Sequence, residues 1–315
     1  MIRGDVYVVT GATGNIGSKI VEKLLAAKLK VRAIARPSER LKALASKGAQ
    51  AFPATLDDAG SITHGFTGAK AVFTMIPPNY KTENFRGYQN TISQVLSASI
   101  TGAGIDYVVN LSSVGAQNSE KMGPINGLFD HERRFNQLNG VNVLHLRPTY
   151  FMENHMGAGE MVRKMGIYGS PMKGNVAIPM IATQDIAHEA AERLKALDFK
   201  GKSVKELLGP RDYTMEEITR VIGTVFEKPD LKYVQFPYED AEKAMQGMGL
   251  SKDVSALFIQ MIRAINDGTF KPTEARSAKN TTPTTFEQFA HVLTQVPVKS
   301  GKTSKRSATA GAKRR

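Results

Sequence analysis

Residues 5–17, DVYVVTGATGNIG, decide the fold of this chain. An apolar run typical of a buried strand leads into Gly11, Gly14 and Gly17, and the next residues, SKIVEKLLAAK, have the period of an amphipathic helix. In such a turn the first glycine permits the tight bend, the second admits a pyrophosphate, and the third lets helix and strand pack closely. The N–H groups and positive dipole end of the helix would then face the phosphates. The stretch predicts a dinucleotide-binding strand–turn–helix unit.

Strand and helix patterns alternate through the first 150 residues. Further strands are predicted at KVRAIAR, Ala49–Pro53, AKAVFTMIPP, DYVVNLSS and VNVLHLRP. Helices are predicted at Ser38–Lys47, LDDAGSITHGF, the face from Phe85 to Ile100, and Glu120–Asn139. This alternation predicts an α/β protein with a doubly wound, mostly parallel (Rossmann) sheet, and we place its NAD(P)-binding domain at residues 1–150.

The pattern changes to loops and short helices after residue 150. Thr214-x-x-Glu217 and Thr284-x-x-Glu287 each have the spacing of a capping box, which predicts that helices begin there. We expect a smaller, partly helical C-terminal substrate lobe over residues 151–296. The substrate would bind in the crevice between this lobe and the carboxyl ends of the strands.

Composition limits the class of protein. The chain has 315 residues and no cysteine, which excludes disulfides and thiolate sites and makes a cytoplasmic location the expectation. No apolar run is long enough to cross a membrane, and we expect neither membrane insertion nor a signal peptide. Much of the net charge of +13 comes from residues 297–315, which we expect to form a disordered basic tail. Such a tail offers weak, sequence-independent contact with nucleic acid.

A series of motifs follows in order along about 290 residues. They are TGATGNIG, VRAIARP, AVFTMIPP, VVNLSSVGA, LHLRPTYFMEN, IATQDIAHEAAERL and LLGPRDYTMEEI. The series resembles the NmrA-like branch of the atypical short-chain dehydrogenase/reductases. The resemblance implies NAD(P) binding but leaves the chemistry open, because members include quinone and azo-dye reductases, isoflavone-type reductases, and sensors that bind cofactor without turnover.

Arg36 indicates which cofactor is bound. It ends the second strand, where an NAD-specific protein usually presents a carboxylate to the ribose hydroxyls, and a guanidinium can pair with a 2′-phosphate instead. Arg40 and Lys42 lie near enough in sequence to assist, and the expected cofactor is NADP(H). The family's adenine-binding Asp is replaced by Thr55, with Leu56 covering the base. The predicted cofactor-binding residues are Gly11, Thr13, Gly14, Asn15, Ile16, Gly17, Arg36, Arg40, Thr55, Leu56, Thr74, Met75, Ile76, Pro77, Ser112 and Pro148.

The catalytic pair of the superfamily is missing. Its Tyr-x-x-x-Lys lies on the helix after the fifth strand, and two alignments place those positions at Pro124 and Leu128 or at Ile125 and Phe129. Ser112 or Ser113 could be the serine of the family triad, orienting the nicotinamide or substrate. The next proton-donor candidate is His131. The run Asp130-His131-Glu132 is not a metal site, because consecutive helical residues diverge, and no metal is predicted.

Three residues near the strand ends are predicted to contact the substrate: Tyr80, Tyr150 and Asn154. Two functions stay open. The first is an NADPH-dependent oxidoreductase that reduces a small electron acceptor such as a quinone, an azo compound or an activated double bond. The second is an NAD(P)-responsive redox sensor that acts on a protein partner with little turnover. A regulator bound to nucleic acid through the tail is a third hypothesis, but the sequence carries no helix-turn-helix signature.

Overall fold

The computed structural model describes residues 4–295, and a parallel sheet forms its centre. In chain order the strands within that range are β1 (Val6–Thr10), β2 (Lys30–Ala35), β3 (Gln50–Pro53), β4 (Ala69–Thr74), β5 (Tyr107–Leu111), β6 (Asn142–Pro148), β7 (Tyr150–Phe151), β8 (Tyr168–Ser170), β9 (Ile178–Ile181), β10 (Lys202–Leu207), β11 (Asp212–Tyr213) and β12 (Tyr233–Gln235). Seven of them pair in parallel in the order β10-β6-β5-β4-β1-β2-β3. The chain winds outward in both directions from β1, which confirms the predicted Rossmann-type α/β fold.

Helices cover both faces of this sheet. In chain order, the helices of residues 4–295 are α1 (Asn15–Ala26), α2 (Glu39–Ser46), α3 (Ala59–Phe66), α4 (Phe85–Ala103), α5 (Asn126–Asn136), α6 (Ala158–Met165), α7 (Thr183–Ala196), α8 (Met215–Val225), α9 (Tyr238–Gly247), α10 (Lys252–Asn266) and α11 (Phe286–Thr294). Helices α1 and α7 pack on one face, and α3, α4 and α5 on the other. Neighbouring residues of β1 serve opposite faces, since Val8 and Val9 belong to different core clusters. Burial on both sides explains the continuous apolar strands.

The sheet does not end at residue 150. Strand β10 pairs with β6 along six residues, and α7 packs against α1, although both elements lie in the second half of the chain. A domain boundary at residue 150 would therefore cut through the sheet and through the layer of helices that covers it. The smaller lobe has its own apolar core, to which α6, α8 and α11 contribute, and it carries two small sheets, β11-β9-β7 and β12-β8.

Two helix starts were predicted from capping-box spacings in the sequence, and the structure tests both. The capping box at Thr214 is confirmed, since its hydroxyl accepts the Glu217 N–H and the Glu217 carboxylate accepts the Thr214 N–H. The second box lies one residue later than predicted, at Thr285 and Gln288. Thr284 is not the cap because its N–H and hydroxyl both donate to Asp185, at 3.0 and 2.7 Å.

The helix predicted over Glu120–Asn139 is shorter than expected. A 3₁₀ turn at Gly123–Ile125 precedes α5, which ends at Asn136. Gly123 has a φ of 58°, outside the helical region, and its N–H donates to Oε1 of Gln260 rather than along a helix. None of the helices formed by residues 4–295 is long and apolar enough to cross a membrane. The predicted tail at residues 297–315 lies outside the described part of the chain.

Candidate cofactor and acceptor site

The glycine turn has the geometry that its spacing predicts. Gly11 follows β1 with a φ of 60°, a left-handed conformation that glycine adopts without cost. A Cβ at Gly17 would lie 2.3 Å from the Gly11 carbonyl oxygen, so this position requires glycine for helix and turn to approach. Gly14 caps α1 in an extended conformation, and a Cβ there would meet one atom within 4 Å, the Gly11 oxygen at 3.3 Å. A side chain at Gly14 would therefore require that carbonyl to move by a few tenths of an ångström, and it would meet no other atom within 4 Å.

A cleft of about 760 Å³ opens beside this turn. Ten of the predicted site residues line it: Gly11, Thr13, Gly14, Arg36, Arg40, Thr55, Leu56, Met75, Pro77 and Tyr80. They come from the ends of β1, β2, β3 and β4 and from the loops that follow. The carboxyl ends of parallel strands meet at one edge of the sheet, which is where ligands of such folds bind.

Cationic side chains lie at one part of this cleft. Arg36 is exposed directly after β2, and the Arg40 guanidinium lies 3.4 Å from the carbonyl oxygen of Thr13 in the glycine turn. Lys42, expected to assist them, is instead paired with Glu39 on the surface of α2, at 2.8 Å. Among the described residues that line the cleft, the cations are therefore Arg36 and Arg40 near the glycine turn and Lys81 in the loop after β4.

The cleft has an apolar part, of which the sequence analysis predicted only Leu56. Leu56, Tyr88 and Ile92 line it, and Tyr88 also donates its hydroxyl to the carbonyl oxygen of Pro77, at 3.0 Å. Burial raises the pKa of Tyr88, so the phenol stays protonated at neutral pH. Tyr88 belongs to the helical face predicted from Phe85 to Ile100, and only its place in the first turn after the β4 loop could have indicated the cleft.

Some predicted cofactor residues do not face this cleft with their side chains. Thr74 is fully buried and its hydroxyl donates to Oδ1 of Asn110, at 3.1 Å. Ile16 and Gly17 are buried in the first turn of α1, and Ile76 packs against the core. Asn15 lines a second cavity of about 550 Å³, between the start of α1, the start of α7, and α11. Side-chain contact with a cofactor in the cleft is therefore not available to Thr74.

His131 is not a proton donor in the crevice, contrary to the sequence-based expectation. Its side chain is completely buried, with Nδ1 2.7 Å from the Ser93 hydroxyl and Nε2 2.9 Å from Oδ1 of Asn110. Burial lowers the pKa of His131 to about 3, so the ring is neutral at physiological pH. Both nitrogens are already used between α4, α5 and β5.

Ser112 is likewise occupied. Its hydroxyl donates to Oε1 of Glu132 at 2.5 Å, and Arg147 binds the same carboxylate with Nε at 2.9 Å and Nη2 at 2.5 Å. Ser112 is 3% exposed, and Pro148 next to Arg147 is buried, its carbonyl accepting the Val114 N–H. The expected contacts of the Ser112 and Pro148 side chains with the cofactor are therefore not supported. Ser113 donates its hydroxyl to the carbonyl oxygen of Val114.

The three residues predicted to contact the substrate do not lie together in the structure. Tyr80 is 45% exposed and lines the cleft. Tyr150 pairs in β7 with Met180 and packs against the core of the smaller lobe, and burial raises its pKa, opposed by a hydrogen bond to Asn154. Asn154 is exposed in a 3₁₀ turn, Met152–His155. Neither Tyr150 nor Asn154 lines the cleft, so Tyr80 is the candidate that the structure brings beside the glycine turn.

The sheet order, the glycine turn and the cleft together define a Rossmann-type α/β protein with a nucleotide-sized site at the strand ends. Comparison with known proteins narrows this class. The model of the NmrA-like family matches residues 5–290, and the chain therefore belongs to the NmrA-like family.

Relatives of this chain include reductases. It is similar to the NAD(P)H azoreductase of Xenophilus azovorans, 24% identical over 248 residues that span 79% of this chain and 83% of that protein. Quinone oxidoreductase 2 of Escherichia coli is 23% identical over 294 residues, spanning 90% and 98% of the two chains. The crystal structure of Citrobacter sp. triphenylmethane reductase complexed with NADP(H) is similar with a TM-score of 0.77 and 17% identity, covering 91% of this chain and 99% of that one.

Proposed function

We propose that this protein is an NADPH-dependent oxidoreductase that reduces a small electrophilic acceptor, such as a quinone, an azo compound or an activated double bond. One observation carries the proposal. A single cleft combines the open glycine turn, two arginines and an exposed tyrosine, and the described residues that line it include no histidine. The azoreductase and quinone oxidoreductase among the relatives support the same chemistry.

The cleft fits the cofactor. The free space at Gly14 admits a pyrophosphate against the start of α1, whose N–H groups and dipole favour an anion. Arg36 and Arg40 would bind the 2′-phosphate, and the apolar wall of Leu56, Tyr88 and Ile92 would hold the adenine. When bound, NADPH supplies a hydride.

The protein's own groups limit which acceptors suit this site. His131 and Ser112 are engaged in the interior, and the positions of the family's Tyr and Lys hold no phenol or ammonium group in either alignment. Quinones and azo compounds need chiefly the hydride and a fixed orientation, because solvent can protonate the product. Ketones need a positioned acid, whose absence costs about 10²–10⁴ in rate.

One experiment tests this function directly. NADPH oxidation is followed with purified protein against quinones, azo dyes, enones and simple ketones at matched concentrations. We expect turnover of the first three classes and little of the ketones. Robust ketone reduction contradicts the proposal. Tight NADPH binding without turnover of any acceptor contradicts it too and favours the redox sensor.

A further inference from the structure

One residue of the smaller lobe fastens the loop that follows β4. Ser251 caps helix α10 and is 7% exposed. Its N–H donates to the carbonyl oxygen of Tyr80 at 2.8 Å, and its hydroxyl donates to the carbonyl oxygen of Thr82 at 2.6 Å. The same hydroxyl oxygen accepts the N–H of Val254 at 3.1 Å, so one side chain caps α10 and holds the loop.

Two further contacts from α10 reach the same segment. The rings of Tyr80 and Phe258 lie 6.0 Å apart at 51°, so α10 contacts both the backbone and the side chain of Tyr80. Asp253 accepts the N–H of Phe85 at 2.7 Å and thereby caps the first residue of α4, where the loop ends. The loop is thus attached to the other lobe as well as to α4, whose Tyr88 binds the carbonyl oxygen of Pro77.

This loop forms one wall of the cleft. Residues 77–81 line it, and their first residue is held from the opposite side by the Tyr88 hydroxyl. Tyr80 has nearly half of its surface free although its backbone is fixed. A phenol ring held in this way offers a flat face of constant position to a planar acceptor.

We propose that Ser251 is a positioning residue for the acceptor: by fastening the loop at two carbonyls, it fixes the ring of Tyr80 in the cleft. Ser251 touches neither cofactor nor acceptor and acts through Tyr80. This proposal rests on the proposed function, because it requires that Tyr80 contacts an acceptor bound in the cleft. It also makes the smaller lobe a part of the site, because α10 sets the shape of a wall that the sheet domain contributes.

The kinetic test compares two substitutions with a control. Ser251→Ala removes the hydroxyl and leaves the backbone donor, whereas Ser251→Thr keeps a hydroxyl. Thr214→Ala removes a similar cap from α8, which does not line the cleft. For Ser251→Ala we expect the acceptor KM to rise about 2- to 10-fold, as loss of one hydrogen bond implies, with kcat nearly constant. Ser251→Thr should restore the KM, and Thr214→Ala should leave it unchanged.

A second readout does not depend on turnover. The chain has no tryptophan, so Tyr80→Trp introduces one indole at the cleft, whose fluorescence can be excited selectively over that of the tyrosines. Adding Ser251→Ala to this protein should increase acrylamide quenching of the introduced indole, and adding Thr214→Ala should not. Unchanged quenching overturns the proposal whether or not the protein is an enzyme. Increased quenching with an unchanged acceptor KM also overturns it, since the loop would then move without affecting the acceptor. If no acceptor turns over, the proposed function fails, and the quenching result alone decides whether Ser251 fixes position 80.

Discussion

His131 and Asn110 fix each other's orientation inside the protein, with Nε2 of the histidine 2.9 Å from Oδ1 of the amide. A carbonyl oxygen only accepts, so Nε2 carries the proton and Nδ1 accepts from the Ser93 hydroxyl. The Asn110 amide nitrogen donates to Nδ1 of His145 at 3.0 Å, which leaves Nε2 of His145 to donate to Asn136. Two neutral histidines and one amide thus join β5 and β6 to α4 and α5.

Stability should fall as the pH drops below about 6.5. Burial lowers the pKa of His131 to about 3 and that of His145 to about 4, whereas both titrate near 6.5 in the unfolded chain. Between these values the unfolded state binds more protons, so the free energy of unfolding decreases on acidification. Each histidine contributes a slope of up to about 1.4 kcal/mol per pH unit. Urea denaturation at pH 7, 6 and 5 measures this slope.

His131→Gln is the matched variant for that experiment. It removes one titrating ring, so the slope between pH 7 and 5 should decrease by up to about 1.4 kcal/mol per pH unit. The unfolding free energy at pH 7 should be lower as well, because the contacts to Ser93 and Asn110 are weakened. A slope equal to that of the parent would mean that His131 is not held neutral.

Valine should have different effects at Gly14 and at Gly17: loss of cofactor binding at the first and loss of stability at the second. Gly14 has an extended backbone, and a Cβ there would meet only the Gly11 carbonyl oxygen, at 3.3 Å. A small shift of that carbonyl should let the fold persist in Gly14→Val, while the side chain blocks the phosphate position and NADPH affinity is lost. Gly17→Val places a Cβ 2.3 Å from a backbone oxygen and should destabilise the fold itself. Circular dichroism and calorimetric NADPH titration separate the two effects. Unchanged NADPH affinity in Gly14→Val would show that the cofactor does not bind at this turn.

Arg36 should determine the preference for NADPH over NADH. Losing a charge-assisted contact with the 2′-phosphate should weaken NADPH roughly 10- to 150-fold and leave NADH almost unaffected. Lys42→Ala is the control, because Lys42 pairs with Glu39 on α2. Both dissociation constants are measured by calorimetry. Equal losses for the two cofactors in Arg36→Ala would show that Arg36 does not recognise the phosphate.

Ser112 should matter for stability and not for turnover. Ser112→Ala removes a hydrogen bond to the buried Glu132 carboxylate, worth about 1.5–3 kcal/mol. Glu132→Gln should cost more, about 3–5 kcal/mol, because it leaves the Arg147 guanidinium, 11% exposed, without its counter-ion. Chemical denaturation measures both. If Ser112→Ala had the unfolding free energy of the parent protein but a reduced kcat, Ser112 would have a role in the reaction.

The fold was predictable because its signals are local. The glycine spacing, the apolar strands and the helical periods each depend on residues close in sequence, and they located the first six strands of the sheet. Partners distant in sequence could not be predicted. Nothing around His131 indicates that Ser93, 38 residues away, donates to its ring, and β10 joins β6 with no sequence mark of their pairing. Cleft residues were predicted correctly where strand ends converge. The prediction failed where a side chain points into the protein core instead of the cleft, as at Thr74.

The rate of acceptor reduction should be nearly independent of pH between 6 and 8. The phenols that line the cleft, Tyr80 and Tyr88, have pKa values raised by burial and stay protonated in this range. Among the described residues lining the cleft there is no histidine, and the pKa of the buried His131 is far below neutral. We therefore expect kcat/KM for a quinone, measured with saturating NADPH, to vary less than about twofold across this range, because neither phenol changes charge. A sigmoidal profile with a midpoint near 6.5 would require a histidine in the reaction. Its disappearance in His131→Gln would identify that residue, and its persistence would point to another.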